Sequence, residues 1–453
     1  MSIHGDFGNG SVKKHILKQS LPLMLAQLVQ LLYNIVDRIY LGHMPGADAD
    51  YALTGVGLCF PIITFVSALV NWISSGAAPL CSIARGNGEK QKAQDLLSTA
   101  FSMLLAVSLS ATVLLLLFKT PALYALGASD ETIGYATDYM NIYLWGTVFF
   151  AIGTGMNSFI NLQGYPKIGM LTTVLGAVLN LILDPIFIFV LNMGVKGAAI
   201  ATVISQFVSA LWVLSFLAKK NLELNLSGKK LSINGPLLKK MLVLGIPGLV
   251  MGATNSTVQA VCNKTLSIYG GDAYVAVMTI INSVREIGGL PINGITGGSQ
   301  PVISYNYGAQ NYKRVKQGIK FMSWAGICYT AVFWISTLLL PKLYLRIFSS
   351  DLDIIEIGIT PMMIYFMGFI FMSLQFSGQS SYVALSKAKQ AIFFSIFRKI
   401  IIVVPLTIFL PRIPSLGVYG VFAAEPISNL VGGFASFLFM YFTVYRRLPN
   451  SEK

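Results

Sequence analysis

The chain has 453 residues, 55% of them hydrophobic and only 11% charged, against roughly 25% charged residues in ordinary soluble domains. A water-soluble protein of this length needs a polar surface that this composition does not supply, so soluble enzymes and soluble binding modules are excluded. The net charge of +14 invites a nucleic-acid reading, which the placement of the charges removes.

Apolar stretches near the roughly 20 residues that cross a bilayer recur along the chain. Breaks at charge and Gly/Pro clusters give twelve spans. They begin near Ile16, Tyr51, Asp95, Gly134, Ile168 and Gly194, then near Leu238, Asp272, Lys316, Glu356, Ala391 and Val418. The fold class expected is an all-α integral membrane protein with twelve transmembrane helices in two six-helix halves, residues 1–222 and 223–453. Most of the 32 Lys and Arg fall on one side of this arrangement. Among them are Lys13, Lys14 and Lys18, Arg85, Lys90 and Lys92, the linker lysines Lys219, Lys220, Lys229, Lys230, Lys239 and Lys240, and Arg446 with Arg447. The other side carries Lys119, Lys196, Lys342, Arg346 and Arg412 beside the acids Asp48, Asp50, Asp351 and Asp353. That bias places both termini in the cytoplasm of a plasma-membrane protein and leaves no nucleic-acid footprint. The first residues are polar and glycine-rich rather than a cleavable signal. Four unpaired cysteines and three scattered histidines predict no disulfide, no metal cluster and no cofactor.

Acids inside hydrocarbon are costly and mark function by default. Four lie well inside spans: Asp37, Asp184, Glu286 and Glu425. In the first span Gln30, Asn34 and Asp37 recur at helical spacing and share a face. In the fifth, Asn180 and Asp184 are four residues apart and precede Pro185, which frees backbone carbonyls. In the sixth, Ala198 and Thr202 repeat that spacing. Two carboxylates, an amide oxygen, a hydroxyl and a backbone carbonyl make an all-oxygen set suited to a hard cation or a proton. Two carboxylates in low dielectric do not comfortably both stay ionised, so H⁺ or Na⁺ can compete there, with Na⁺ held by Asp37, Asn180, Asp184 and Thr202. The bland alternative is a structural hydrogen-bond network.

The seventh span carries Asn255, Gln259 and Cys262 on its matching face. Glu286, beside Arg285 in the eighth, either meets a cationic substrate or pairs with Lys264. Met278 belongs to a set of Met and aromatic residues that read first as membrane core and second as a soft pocket for varied lipophilic cargo. Glu425, before Pro426, reads as structural or gating. The 42 glycines read mainly as close helix packing.

The halves match each other in order. Pro22 pairs with Pro247, Pro121-Ala-Leu-Tyr124 with Pro341-Lys-Leu-Tyr344, Tyr143 and Gly146 with Tyr365 and Gly368, and Gly194-x-x-Gly197 with Gly417-x-x-Gly420. Each half holds an even number of spans, so the two are parallel repeats of the kind that line the central cleft of an alternating-access carrier. The acids do not follow the repeat. Asn180 and Asp184 correspond to the apolar Ile402 and Leu406.

Several segments together resemble the multidrug and toxic compound extrusion (MATE) family. They are Leu32-Tyr-Asn-Ile-Val-Asp37-Arg-Ile-Tyr-Leu-Gly42, Ile83-Ala-Arg-Gly-Asn-Gly-Glu-Lys90, Asn180-Leu-Ile-Leu-Asp-Pro185 and Gly194-Val-Lys-Gly-Ala-Ala199. The resemblance covers essentially the whole chain and implies a V-shaped exporter of lipophilic and cationic compounds driven by H⁺ or Na⁺. It implies a cation site at Asp37, Asn180, Asp184, Thr202 and the Ala198 carbonyl, with Tyr139 and Asn157 in the surrounding network. Another branch of the family carries acids in the seventh and tenth spans, where this chain has Asn255, Lys264, Gln375 and Gln379; a carboxyl-half sodium site is not expected. A monomer working among membrane lipids is expected.

The competing reading is a flippase for lipid-linked cell-envelope precursors. An anionic pyrophosphate cargo asks for several basic residues in the cleft, and only Arg38, Lys264 and Arg285 are read as deep in spans, against four acids. A membrane enzyme lacks a long loop, a metal-ligand cluster and a Ser/His/Asp arrangement.

Overall fold

The computed structural model describes residues 6–43, 49–226 and 233–449, without the side chains of Arg38, Ala49 and Asp50. Asp48, Lys229, Lys230 and the side chains of Arg38 and Asp50, assigned above to loops or a span, lie outside the described residues. Among the described residues every regular element is helical. The first six expected spans are α1 (Val12–Gly42), α2 (Ala49–Gly86), α3 (Lys90–Ala125), the pair α4 (Ile133–Phe150) and α5 (Asn157–Leu162), α6 (Pro166–Pro185) and α7 (Gly194–Leu217). The next six begin with α8 (Gly235–Tyr269), α9 (Gly271–Gly308) and α10 (Tyr312–Leu339), followed by a short connecting helix, α11 (Pro341–Phe348). They continue with the bent pair α12 (Leu352–Phe366) and α13 (Phe369–Ala384), the pair α14 (Ala388–Ile396) and α15 (Val404–Phe409), and end with α16 (Tyr419–Thr443).

Ten of these runs are long and apolar enough to cross a membrane, and α12 with α13, bent by 43°, makes an eleventh. The remaining expected span runs through α4 and α5, interrupted by a π segment at Ala151–Gly155. Two further π segments occur, Ile186–Val190 directly after Asp184-Pro185 and Phe397–Val403 between α14 and α15. The expected fold class holds: an all-helical, multi-pass membrane protein with two-repeat architecture. Leu117, Val190, Val332 and Leu339 are about seven-tenths exposed, and such apolar faces suit lipid rather than water.

The chain forms two compact units. Among the described residues, Asp6 and those of 25–245 build the first; Phe7–Met24 and residues 246–449 build the second. The chain therefore passes between units inside α1 and again inside α8, close to Pro22 and Pro247, each of which deletes a helical hydrogen bond.

In the first unit, α2, α3, α5 and α7 enclose a core that includes Ile73, Leu97, Phe159 and Leu217. The segment after α7 is fastened to it. Arg85 pairs with Glu223 at 2.6 Å and donates to the Leu162 carbonyl, while Gln94 and Asn225 exchange hydrogen bonds. In the second unit, α8, α9, α12 and α16 enclose Leu266, Ile281, Phe366 and Phe422.

The repeat is visible in backbone geometry. Gly194 and Gly417 both adopt positive φ, +53° and +48°, a region that disfavours side chains. Three residues on, a Cβ at Gly197 would lie 2.7 Å from the Phe187 backbone, and one at Gly420 would lie 2.6 Å from the Leu410 backbone. The paired Gly-x-x-Gly motifs thus perform one task twice, turning the chain tightly and seating a helix start against the preceding span. Gly146 and Gly368 likewise lie against α7 and α16, where a Cβ would meet Gln206 at 2.6 Å and Pro426 at 2.7 Å.

Candidate functional site

The first unit draws α1, α4, α6 and α7 around two carboxyl groups. Asp184 is fully buried on α6 and Asp37 nearly so on α1, and the two carboxyls are close enough to interact. Two carboxyls in such contact need a shared proton or a cation between them, since like charges at this distance in a dry interior repel strongly. Asn180, one turn before Asp184, donates to its Oδ1 at 3.2 Å and to Thr202 Oγ1 at 3.3 Å. Thr202 in turn donates to the Ala198 carbonyl at 3.0 Å. The i, i+4 spacing on both helices makes these contacts, as it turns paired side chains to one face.

Two acceptors remain open in this cluster. Asn180 Oδ1 and Asp184 Oδ2 are buried and have no hydrogen-bond partner among the described residues. Buried polar atoms are nearly always satisfied, and here both orphans are oxygens. With the Asp37 carboxyl they make an all-oxygen group, the donor type that hard cations prefer. No group of three or more His, Cys, Asp or Glu that could hold a metal ion occurs among the described residues.

The expected residues Asp37, Asn180, Asp184, Ala198 and Thr202 therefore come together, and Tyr139 joins them as a buried neighbour of Asp37. Asn157 does not. It bridges α5 to α6 lower down, donating to the Gly169 carbonyl at 3.0 Å and accepting from Thr172 at 3.3 Å. Gln30 and Asn34 are exposed and bonded to each other at 3.3 Å, whereas Asp37 on the same helix is buried. Three cluster residues escaped the sequence reading. Tyr33 lies near Asp37, Asp184 and Thr202, Tyr143 stacks on Tyr139 with ring centroids 5.7 Å apart, and Gln206 lies beside Tyr143. Their signal was spacing: Tyr33 lies one turn before Asp37, and Tyr143 one turn after Tyr139.

In the second unit Gln259 is exposed and Met278 buried, and both line a cavity between α8, α9 and α16. Glu286 is exposed and makes no ion pair with Lys264 among the described residues. Glu425 is held by two bases, Arg398 at 2.9 Å and Lys399 at 3.2 Å. The expectation that Arg38, Lys264 and Arg285 are the only deep bases is overturned here. Arg398 and Lys399 are buried in the π segment midway along the eleventh span, while Lys264 is exposed. Adjacent residues on an α-helix point about 100° apart; the widened π turn lets both side chains face Glu425.

A sequence model of the MatE family matches residues 22–186 and 247–409, one block in each half. Curated relatives include the multidrug export protein MepA of Staphylococcus haemolyticus (strain JCSC1435), 27% identical over 381 residues, covering 82% of this chain and 83% of the relative. MepA of Staphylococcus aureus (strain MSSA476) is also 27% identical, over 388 residues with the same coverage. Among solved structures, one described as the outward-facing conformation of a multidrug resistance MATE family transporter of the MOP superfamily superposes with a TM-score of 0.92. It is 24% identical and is covered over the full length of both chains; at that identity it supports the fold alone.

Proposed function

The chain belongs to the MatE family, and from that premise we propose that it exports small lipophilic, often cationic molecules by alternating access in exchange for inward-moving H⁺ or Na⁺. The observation that carries this reading is the buried pair Asp37 and Asp184 with the oxygens of Asn180 and Asp184 that have no hydrogen-bond partner among the described residues. In hydrocarbon such a cluster is stable only when a positive charge joins it. Entry of H⁺ or Na⁺ from outside ties α1 to α6, and Thr202 and Tyr33 extend the tie to α7. An ion that binds one arrangement of these helices better than another shifts the carrier toward it by that difference in affinity. Loading outside releases cargo there, and the ion leaves to the cytoplasm as the carrier resets. Curated relatives named as multidrug export proteins favour small-molecule cargo, and the positive-inside charge bias favours a plasma-membrane protein with cytoplasmic termini.

Proteoliposomes preloaded with a fluorescent lipophilic cation test the reading. An imposed H⁺ or Na⁺ gradient accelerates cargo movement in the native chain, and no acceleration by either gradient refutes the coupling. A flippase for anionic lipid-linked precursors is the second reading, and buried Arg398 and Lys399 are the observation in its favour. Movement of a labelled lipid-linked precursor without movement of the cation would select it.

A further inference from the structure

The second unit contains a charged cavity of its own, built from the half that lacks the Asp37–Asp184 cluster. Its enclosed volume is about 30 Å³, room for a small polar group rather than for a whole ligand. Its polar lining comes from Asn255 of α8, Asn282 and Arg285 of α9, Tyr365 of α12, Lys399 of the π segment and Glu425 of α16. Met278 and Val403 supply apolar wall.

The charges here do not balance. Glu425 accepts from Arg398 Nη2 at 2.9 Å and from Lys399 Nζ at 3.2 and 3.4 Å, so one carboxylate already serves two cations. Arg398 also donates to Asn429. Arg285 is a third cation, and its Nε is buried with no hydrogen-bond partner among the described residues. The acid next to it in sequence, Glu286, is exposed. Three bases thus surround one buried acid at membrane depth, where an uncompensated charge is among the costliest features a fold can carry. Two of the three, Arg285 and Lys399, line this small cavity, together with amide donors on Asn255 and Asn282.

We propose that this cavity takes the oxyanion head, a carboxylate or phosphate, of an amphipathic ligand, with Arg285 and Lys399 contacting the oxyanion and the apolar body left outside the cavity. Arg398 stands behind them and holds Glu425. Glu425 in turn keeps Lys399 in place when the cavity has no ligand. The site goes beyond the coupling proposed above and does not rest on it. The two halves then differ in sign: an acidic cluster for a cation in the first, a basic cavity for an anion in the second. A cargo that carries both an amine and a carboxylate would be recognised through the latter.

The test uses the full chain in detergent and in nanodiscs, with 1-pyrenebutyrate as the anionic probe and its methyl ester as the neutral match. The carboxylate binds at least tenfold more tightly than the ester. Arg285→Gln and Lys399→Gln each remove that preference and leave ester affinity unchanged, while Arg285→Lys, which keeps the charge, retains most of it. Asp184→Asn leaves the preference intact, so this result separates from the outcome of the flux assay. Nanodiscs rich in phosphatidylglycerol reveal the source of the anion. Competition with the probe assigns the cavity to a lipid headgroup, and no competition assigns it to a lipophilic carboxylate. Equal affinity for carboxylate and ester, or a preference that survives Arg285→Gln, would overturn the proposal. If Lys399→Gln does not fold, the Gln and Lys variants at Arg285 decide alone.

Discussion

Asp184 has no exposed surface, and one of its oxygens has no hydrogen-bond partner among the described residues. Asp184→Asn keeps the shape and removes the charge that a cation needs. We therefore expect gradient-driven transport to fall by at least tenfold while the purified variant melts within a few degrees of the native chain. Retained transport would mean that the carboxyl is structural. Tyr33→Phe deletes one hydroxyl that lies beside Asp37, Asp184 and Thr202; loss of a polar group from this cluster predicts a weaker ion dependence with cargo affinity unchanged, read from the half-saturating ion concentration. The acids and the Asn180–Thr202 chain were legible because rare polar residues stand out in apolar spans and helical spacing sorts them by face. Tyr33 and Tyr143 had only their one-turn spacing from Asp37 and Tyr139 to mark them, and spacing alone does not say whether an aromatic residue in a membrane helix packs against lipid or closes a polar site.

Helix contacts are set by where glycine lets backbones meet. Gly197 and Gly420 face carbonyl groups that cannot move aside, so helix propensity and packing pull in opposite directions. Replacing helical glycine by alanine gains about 1 kcal/mol. Overpacking costs about 1–3 kcal/mol, and a rigid backbone neighbour favours the upper end. Gly197→Ala and Gly420→Ala should both lower the melting temperature. Gly252→Ala, in α8 with nothing within 4 Å, should leave it unchanged or raise it. Equal effects at all three positions would show that the close approaches are not the cause. The charged turn in the eleventh span is sharper still. Glu425→Gln leaves Arg398 and Lys399 without a carboxylate, and breaking a buried pair costs about 3–5 kcal/mol, enough to reduce folded yield visibly on size-exclusion chromatography. The repeat motifs were legible as paired Gly-x-x-Gly. The inward-facing Arg398-Lys399 pair was not, since neighbours on a regular helix diverge and only the π segment brings both inside.

At the scale of the whole chain, the twelve-span pattern followed from composition because charge and Gly/Pro clusters punctuate the apolar runs. Interruptions such as Ala151–Gly155 and the 43° bend before Phe369 leave no comparable trace. The passage of the chain between units inside α1 and α8 was also invisible, since it depends on which residues pack together rather than on their hydropathy. The central claim is exchange, and coupling is reciprocal: if an ion gradient drives cargo, a cargo gradient must drive the ion. The most direct measurement loads proteoliposomes on one side with a lipophilic cation, applies no ion gradient, and follows the lumen with a pH dye and with radiolabelled sodium. Export of cargo should move H⁺ or Na⁺ the opposite way in the native chain and not in Asp184→Asn. Cargo that moves with no counter-movement of either ion would contradict the account.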